Sequence, residues 1–167
     1  MLVDKYKPKI VRDVVGQQEC VQQINAWLGA WKPGAKALFL YGPSGTGKTS
    51  LVQAIAAEKK SELIELNASD YRTAEQIEGI MGQASKQQSL FNRKKIMLID
   101  DVDGITGDDR GAVASITKII KESKFPVILT ANDAWDLRLR NLHAVAELVK
   151  FKKVAWTSIS KKLGEIA

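Results

Sequence analysis

Gly42-Pro43-Ser44-Gly45-Thr46-Gly47-Lys48-Thr49 decides how this chain is read. The octet fits G-x-x-x-x-G-K-[ST], in which glycines let backbone N–H groups crowd around phosphate oxygens. Lys48 is long enough to reach the β- and γ-phosphates, and the Thr49 hydroxyl suits the oxygen shell of Mg²⁺. The octet carries weight only between a strand and a helix, and its flanks supply both. Ala37-Leu38-Phe39-Leu40-Tyr41 is a short apolar run that predicts a buried strand. Ser50-Leu51-Val52-Gln53-Ala54-Ile55-Ala56-Ala57 predicts a helix with one apolar face.

Outward from this unit, strands alternate with helices. Glu62-Leu63-Ile64-Glu65-Leu66-Asn67 and Lys95-Ile96-Met97-Leu98-Ile99-Asp100 predict strands, the latter apolar at consecutive positions, as a strand covered on both faces should be. Phe125 to Thr130 predicts a fourth strand and Leu148 to Phe151 a short fifth. Helices are expected over Gln17 to Trp31, with Val21, Ile24, Leu28 and Trp31 inward; over Thr73 to Gln83, with Ile77, Ile80 and Met81 inward; and from Gly107–Arg110 to Glu122, with Val113, Ile116, Ile119 and Ile120 inward. Ser158 to Ala167 reads as the first turns of one more helix. This alternation implies an α/β fold with a five-stranded parallel sheet flanked by helices. Ligands of such sheets sit at the C-terminal strand ends, where the phosphate loop lies.

Other strand ends carry complementary chemistry. Asp100 closes the third strand, where a carboxylate can face a Mg²⁺ held by Thr49. Asp101 follows and points elsewhere, at the position that polarises the attacking water in ATPases of this design. Asp103 completes an acidic cluster that, apart from its context, would read as a solvated turn. Asn132 follows the fourth strand, where a neutral amide can bond the γ-phosphate or place the water without adding charge. The only histidine, His143, reads as a packing or surface residue, and no Cys/His cluster has metal-ligand spacing. Trp27 and Trp31, four apart, read as packing residues, with base stacking as the lesser reading.

Bulk properties agree. The 167 residues suit one domain with a real core, and 26% charged against 45% hydrophobic residues argue a globular protein. No apolar run is long enough to span a membrane, and no membrane partner is expected. A single cysteine, Cys20, excludes an internal disulfide, so a reducing compartment, cytoplasmic or nuclear, is expected. The net charge of +6 permits a polyanionic partner without requiring one.

Several segments together resemble one family. Lys5-Tyr6-Lys7-Pro8, Val14-Val15-Gly16-Gln17, the phosphate loop, Glu65-Leu66-Asn67-Ala68-Ser69-Asp70, Ile99-Asp100-Asp101-Val102-Asp103-Gly104 and Leu129-Thr130-Ala131-Asn132-Asp133 are similar to AAA+ sliding-clamp loaders of the replication factor C family. Asp103-Gly104-Ile105 with Asp109-Arg110-Gly111, and the absence of Ser-Arg-Cys after Asn132, resemble the large subunit of the archaeal type. The resemblance implies an AAA+ P-loop NTPase using ATP and Mg²⁺ to load a sliding clamp onto primer–template DNA, together with clamp-loader small subunits. It implies an adenine pocket from Lys5, Tyr6, Pro8, Val14, Val15 and Gly16. Gly42, Pro43, Ser44, Gly45, Thr46, Gly47, Lys48, Thr49 and Ser50 would hold the phosphates. Thr49 and Asp100 would serve the metal, and Asp101, Lys48 and Asn132 the chemistry.

Arg72 matches a region that tracks the DNA backbone, and reads equally as a surface arginine. Leu90 and Phe91 are candidates for the clamp contact or for the core. The family carries Glu where this chain has Asp101, and Trp where it has Leu2. The expected division is a nucleotide-binding domain over 1–155 and the start of a helical lid over 156–167, the rest of the lid lying outside this sequence. Without lid and neighbouring arginines, the isolated chain is expected to hydrolyse ATP weakly or not at all. A nucleotide-dependent interaction module and another AAA+ DNA motor are the alternatives.

Overall fold

The computed structural model describes residues 10–70, 74–86, 94–105 and 110–166. Helix α1 (Gln18–Ala30) precedes β1 (Ala37–Tyr41), and the phosphate loop leads from β1 into α2 (Lys48–Glu58). Next come β2 (Glu62–Asn67), α3 (Ala74–Ile77), a π-helical turn (Glu78–Gly82), α4 (Gln83–Lys86) and β3 (Lys95–Asp100). They are followed by α5 (Arg110–Glu122), β4 (Val127–Ala131), a 3₁₀ segment (Leu137–Ala144), β5 (Ala146–Lys150) and α6 (Trp156–Ile166).

The five strands form one sheet in the order β2-β3-β4-β1-β5, with every pairing parallel. Strand alternation divides the core in two. Leu38, Leu40, Ile96, Leu98, Ile128 and Val149 face α1 and α2, meeting Ile24, Trp27, Leu51, Val52 and Ile55. Phe39, Met97, Ile99, Val127 and Leu129 face the other side, meeting Ile77, Met81, Val113, Ile116, Ile119 and Ile120. The consecutive apolar residues of β1, β3 and β4 follow from this two-sided cover. Each fully buried aliphatic side chain here contributes roughly 1.5–3 kcal/mol relative to exposure.

Strand order puts β1 between β4 and β5, and β4 between β1 and β3. The loop after β1 therefore lies beside the ends of β4 and β5, while Asp100, at the end of β3, is one strand further. This topology assembles the candidate site.

The structure corrects several boundaries and faces. Ile80 is 42% exposed, whereas Ile77 and Met81 are fully buried. The reason is the π turn: its i→i+5 bonding widens the helix, so a residue three after Ile77 leaves the inner face. On α1 the buried residues are Cys20, Ile24 and Trp27, with Val21, Leu28 and Trp31 half-buried at the flanks. Trp27 is fixed by an N–H donated from Nε1 to the Lys36 carbonyl at 3.3 Å. β4 begins two residues later than expected, after Phe125 and Pro126, and β5 starts at Ala146. The final helix begins at Trp156, not Ser158. None of the described helices is long and apolar enough to cross a membrane.

Candidate functional site

The phosphate loop is shaped by two backbone conformations. Gly42 leaves β1 at φ +146°, and a Cβ there would lie 2.3 Å from the Phe151 carbonyl oxygen. Gly47 is left-handed at φ +91° and forms the N-cap of α2, where a side chain would be strained. The first intrahelical bond of α2 runs from the Leu51 N–H to the Gly47 carbonyl (2.9 Å). The N–H groups of Lys48, Thr49 and Ser50 precede that bond and head the helix, the arrangement that attracts phosphate. The Thr46 hydroxyl donates to the Pro43 carbonyl at 2.8 Å and closes the loop.

Lys48 is only 7% exposed. Its Nζ donates to the Gly42 carbonyl (2.7 Å), the Pro43 carbonyl (3.1 Å) and Oδ1 of Asn132 (3.3 Å). Burial lowers its pKa, opposed by the carboxylates of Asp101, Asp103 and Asp100. Thr49 Oγ1 donates to Oδ1 of Asp100 at 2.7 Å. The fully buried Thr130 hydroxyl on β4 donates to the same oxygen and accepts the Asp101 N–H at 3.0 Å. Asp101 is left-handed at φ 53°, a region that aspartate tolerates better than most residues. Burial first, then Asp100 and Asp103, raise its pKa, and Lys48 opposes them.

Asp103 has a different task. Its Oδ2 accepts the N–H groups of Asn132 (2.8 Å) and Asp133 (3.2 Å), which fixes the turn after β4. Arg138 holds the segment that carries Asp103, donating to the carbonyls of Ile105 (2.5 Å) and Asp103 (3.2 Å). Its guanidinium also pairs with Asp136, whose carboxyl is held down to about 2, chiefly by the hydrogen bonds from Arg138.

On the opposite flank of the loop opens a cleft of about 600 Å³. It is lined by Asp13, Val14 and Val15, by Pro43 to Gly47 with Ser50, and by Lys153, Val154 and Ile159. Gly16 lies behind, where an added Cβ would meet Val154 Cγ1 at 3.2 Å. The segment before α1 is anchored by the Val11 N–H to Oε1 of Glu58 at 2.8 Å.

The structure thus gathers Lys48, Thr49, Asp100, Asp101 and Asn132 around the loop, and lines the cleft with Val14, Val15, Pro43, Ser44, Gly45, Thr46, Gly47 and Ser50. Lys5, Tyr6, Pro8, Arg72, Leu90 and Phe91 lie outside the described residues. His143 is a packing residue: its Nε2 is 2.7 Å from the Ala134 carbonyl, and its ring meets Trp135 and Phe39 edge-on. Sequence reasoning missed Asp13, Gln17, Thr130, Lys153, Val154 and Ile159. A hydroxyl inside the otherwise apolar β4 was a usable signal for Thr130, whereas nothing local marks the residues after β5.

These features define a nucleotide-binding α/β domain of the phosphate-loop class. More narrowly, residues 38–152 match the ATPase family associated with various cellular activities (AAA), and the chain belongs to that family. It is similar to proteins named Replication factor C large subunit. That of Thermofilum pendens is 45% identical over 98% of this chain and 41% of its own length. Those of Aeropyrum pernix and Nanoarchaeum equitans are also 45% identical, over 98% and 90% of this chain and 35% and 36% of their own lengths. The chain thus spans about two fifths or less of the curated relatives it matches.

Proposed function

We propose that this chain is the ATP-binding and ATP-hydrolysing part of a clamp-loader large subunit, acting with small subunits, a sliding clamp and primer–template DNA. The observation that carries the reading is convergence of Lys48, the Thr49–Asp100 pair and Asn132 on one glycine loop. Identity with replication factor C large subunits along nearly the whole chain gives the ATPase its context.

The residues present fit ATP and Mg²⁺. The N–H groups at the head of α2 suit phosphate, and Thr49 and Asp100 supply the hard oxygen donors that Mg²⁺ prefers, one or two from protein and the rest from phosphates and water. Mg²⁺, when bound, neutralises charge on the β- and γ-oxygens.

Within this reading the apolar walls at Val14, Val15 and Ile159 take the base. Lys48 exchanges the Gly42 and Pro43 carbonyls for phosphate oxygens. The Asp101 carboxylate accepts a proton from the attacking water, and Asn132 orients that water. Asp103 holds Asn132 in place through the backbone. Residues 1–155 form the nucleotide domain, and α6 starts a lid. Transition-state charge at the γ-phosphate then awaits cationic groups from the lid and from a neighbouring subunit.

The test is reconstitution of the chain, extended through the lid, with cognate small subunits and clamp. ATP-dependent co-purification and DNA-stimulated hydrolysis are expected. Lys48→Ala should lower ATP affinity at least about tenfold, because a phosphate-bonding ammonium is lost. Failure to assemble with or without ATP would refute the assignment. Full single-turnover hydrolysis by Asp101→Asn in an assembly that needs Lys48 would favour a binding module instead.

A further inference from the structure

Gln17 is a polar residue buried to 3% exposure at the head of α1. It occupies the N-cap position, yet its side chain makes no cap hydrogen bond to the helix. Instead Nε2 donates to the Lys152 carbonyl at 2.8 Å and to the Thr46 carbonyl at 3.3 Å. Its Oε1 accepts from Cys20 Sγ at 3.6 Å. Thr46 belongs to the phosphate loop, and Lys152 to the connector between β5 and α6. These two segments both line the cleft, the connector through Lys153 and Val154 and the start of α6 through Ile159.

A primary amide nitrogen has two N–H groups fixed in one plane, and here both are used. A buried donor or acceptor left without its partner is costlier than the bond itself is worth, so the three groups move together. A phosphate drawn to the loop reorients the loop peptides, Thr46 among them, and Gln17 carries that change to Lys152. From the hydrogen bonds, and resting on the nucleotide-binding reading above, we infer that Gln17 is a positioning residue. It links occupation of the phosphate loop to the order of the β5–α6 connector and the start of α6.

Hydrogen exchange on the full chain tests this, using Mg²⁺ with tripolyphosphate as the probe. That probe fills the loop but has no base or ribose to touch Lys153, Val154 and Ile159. Exchange should slow by about threefold or more both in 43–49 and in 153–159, since the two segments share one opening unit. Gln17→Met keeps the length of the side chain, Gln17→Leu keeps an apolar body in its place, and neither can donate to the carbonyls. In whichever of them folds, tripolyphosphate should still protect the loop and no longer the connector. Connector protection that survives either substitution overturns the inference. So does unsubstituted protein in which ATP protects both segments and tripolyphosphate the loop alone, because the base then makes the link directly. Absence of protection anywhere, with ATP as well, overturns the nucleotide reading and the link together.

Discussion

Gly42→Ala should cost this chain stability as well as ligand. The added methyl would lie 2.3 Å from the Phe151 carbonyl oxygen and 3.1 Å from its carbonyl carbon, so the obstacle is backbone that no rotamer can relieve. That backbone is itself held: the Phe151 N–H donates to the Tyr41 carbonyl at 2.7 Å, and the Gly42 N–H to Ala131 at 3.3 Å. Holding a non-glycine residue in such a conformation costs about 1–3 kcal/mol. Losing the Phe151–Tyr41 bond as β5 is pushed away adds roughly 1 kcal/mol. The total, ~2–4 kcal/mol, lowers Tm by about 4–16 °C at this chain length. Far-UV circular dichroism without nucleotide measures it. Gly29→Ala is the control: it sits in α1, a Cβ there meets nothing within 4 Å, and alanine should be neutral or stabilising by roughly 0.5–1 kcal/mol. A Gly42→Ala protein melting within about 2 °C of the parent would refute the reasoning, since the predicted clash alone demands more. In the folded fraction, ATP affinity should also fall, because a displaced Gly42 shifts the loop that sets the N–H groups and Lys48 towards the phosphates.

Two further outcomes are expected. The Asp136 carboxyl, ordinarily near 3.8, is depressed to about 2 by Arg138, so its contribution to stability is present above pH 3.8 and lost as pH falls through 2. Asp136→Asn should therefore reduce stability at neutral pH, by about 1 kcal/mol or less for so exposed a pair, and the difference should shrink as pH falls from 3.8 through 2 in denaturant titrations at stepped pH. Asp103→Ala should leave ATP affinity within about threefold while lowering turnover at least tenfold in an assembled complex, since it frees the Asn132 and Asp133 N–H groups from their shared acceptor; equal losses in affinity and turnover would count against a positioning role.

Periodicity and motif sufficed for the sheet because all five strands are short and punctuated, β1, β3 and β4 apolar almost throughout and the edge strands β2 and β5 apolar between charged residues. They failed on the helix after Asn67, because a π turn is a one-residue irregularity with no residue type that announces it. Ile80 was assigned inward by a 3.6-residue period that this helix does not keep. Boundaries of β4 slipped because Phe125 and Pro126 are as apolar as the strand they precede. At the site, Lys48, Thr49, Asp100 and Asn132 were legible since each sits at a strand end or in the glycine loop, where chemistry and position coincide. Gln17 was quoted within a recognised segment but read as the first residue of a helix. Its role depends on two carbonyls, at Thr46 and Lys152, the second of them 135 residues away, and backbone carbonyls leave no mark in a sequence. Asp103 was read with its acidic neighbours, yet the structure gives it two backbone N–H groups to hold.

The charges around Lys48 limit what the site can receive. Asp100, Asp101 and Asp103 all act on this one ammonium, and Arg138 is already paired with Asp136. Among the described residues, three carboxylates face one cation here, and Asp100 and Asp103 add to burial in raising the Asp101 pKa. A bare triphosphate entering here would add further negative charge to a half-buried region, where repulsion is screened less than in water. The N–H groups at the head of α2 offset a fraction of that, worth about half an elementary charge. A divalent cation would offset the remainder, and Thr49 and Asp100 would hold it; Asp100 Oδ1 here takes hydroxyl hydrogens from Thr49 and Thr130. Those two hydroxyls hold the carboxylate oriented, so the donor that would serve the cation is positioned by its own protein neighbours.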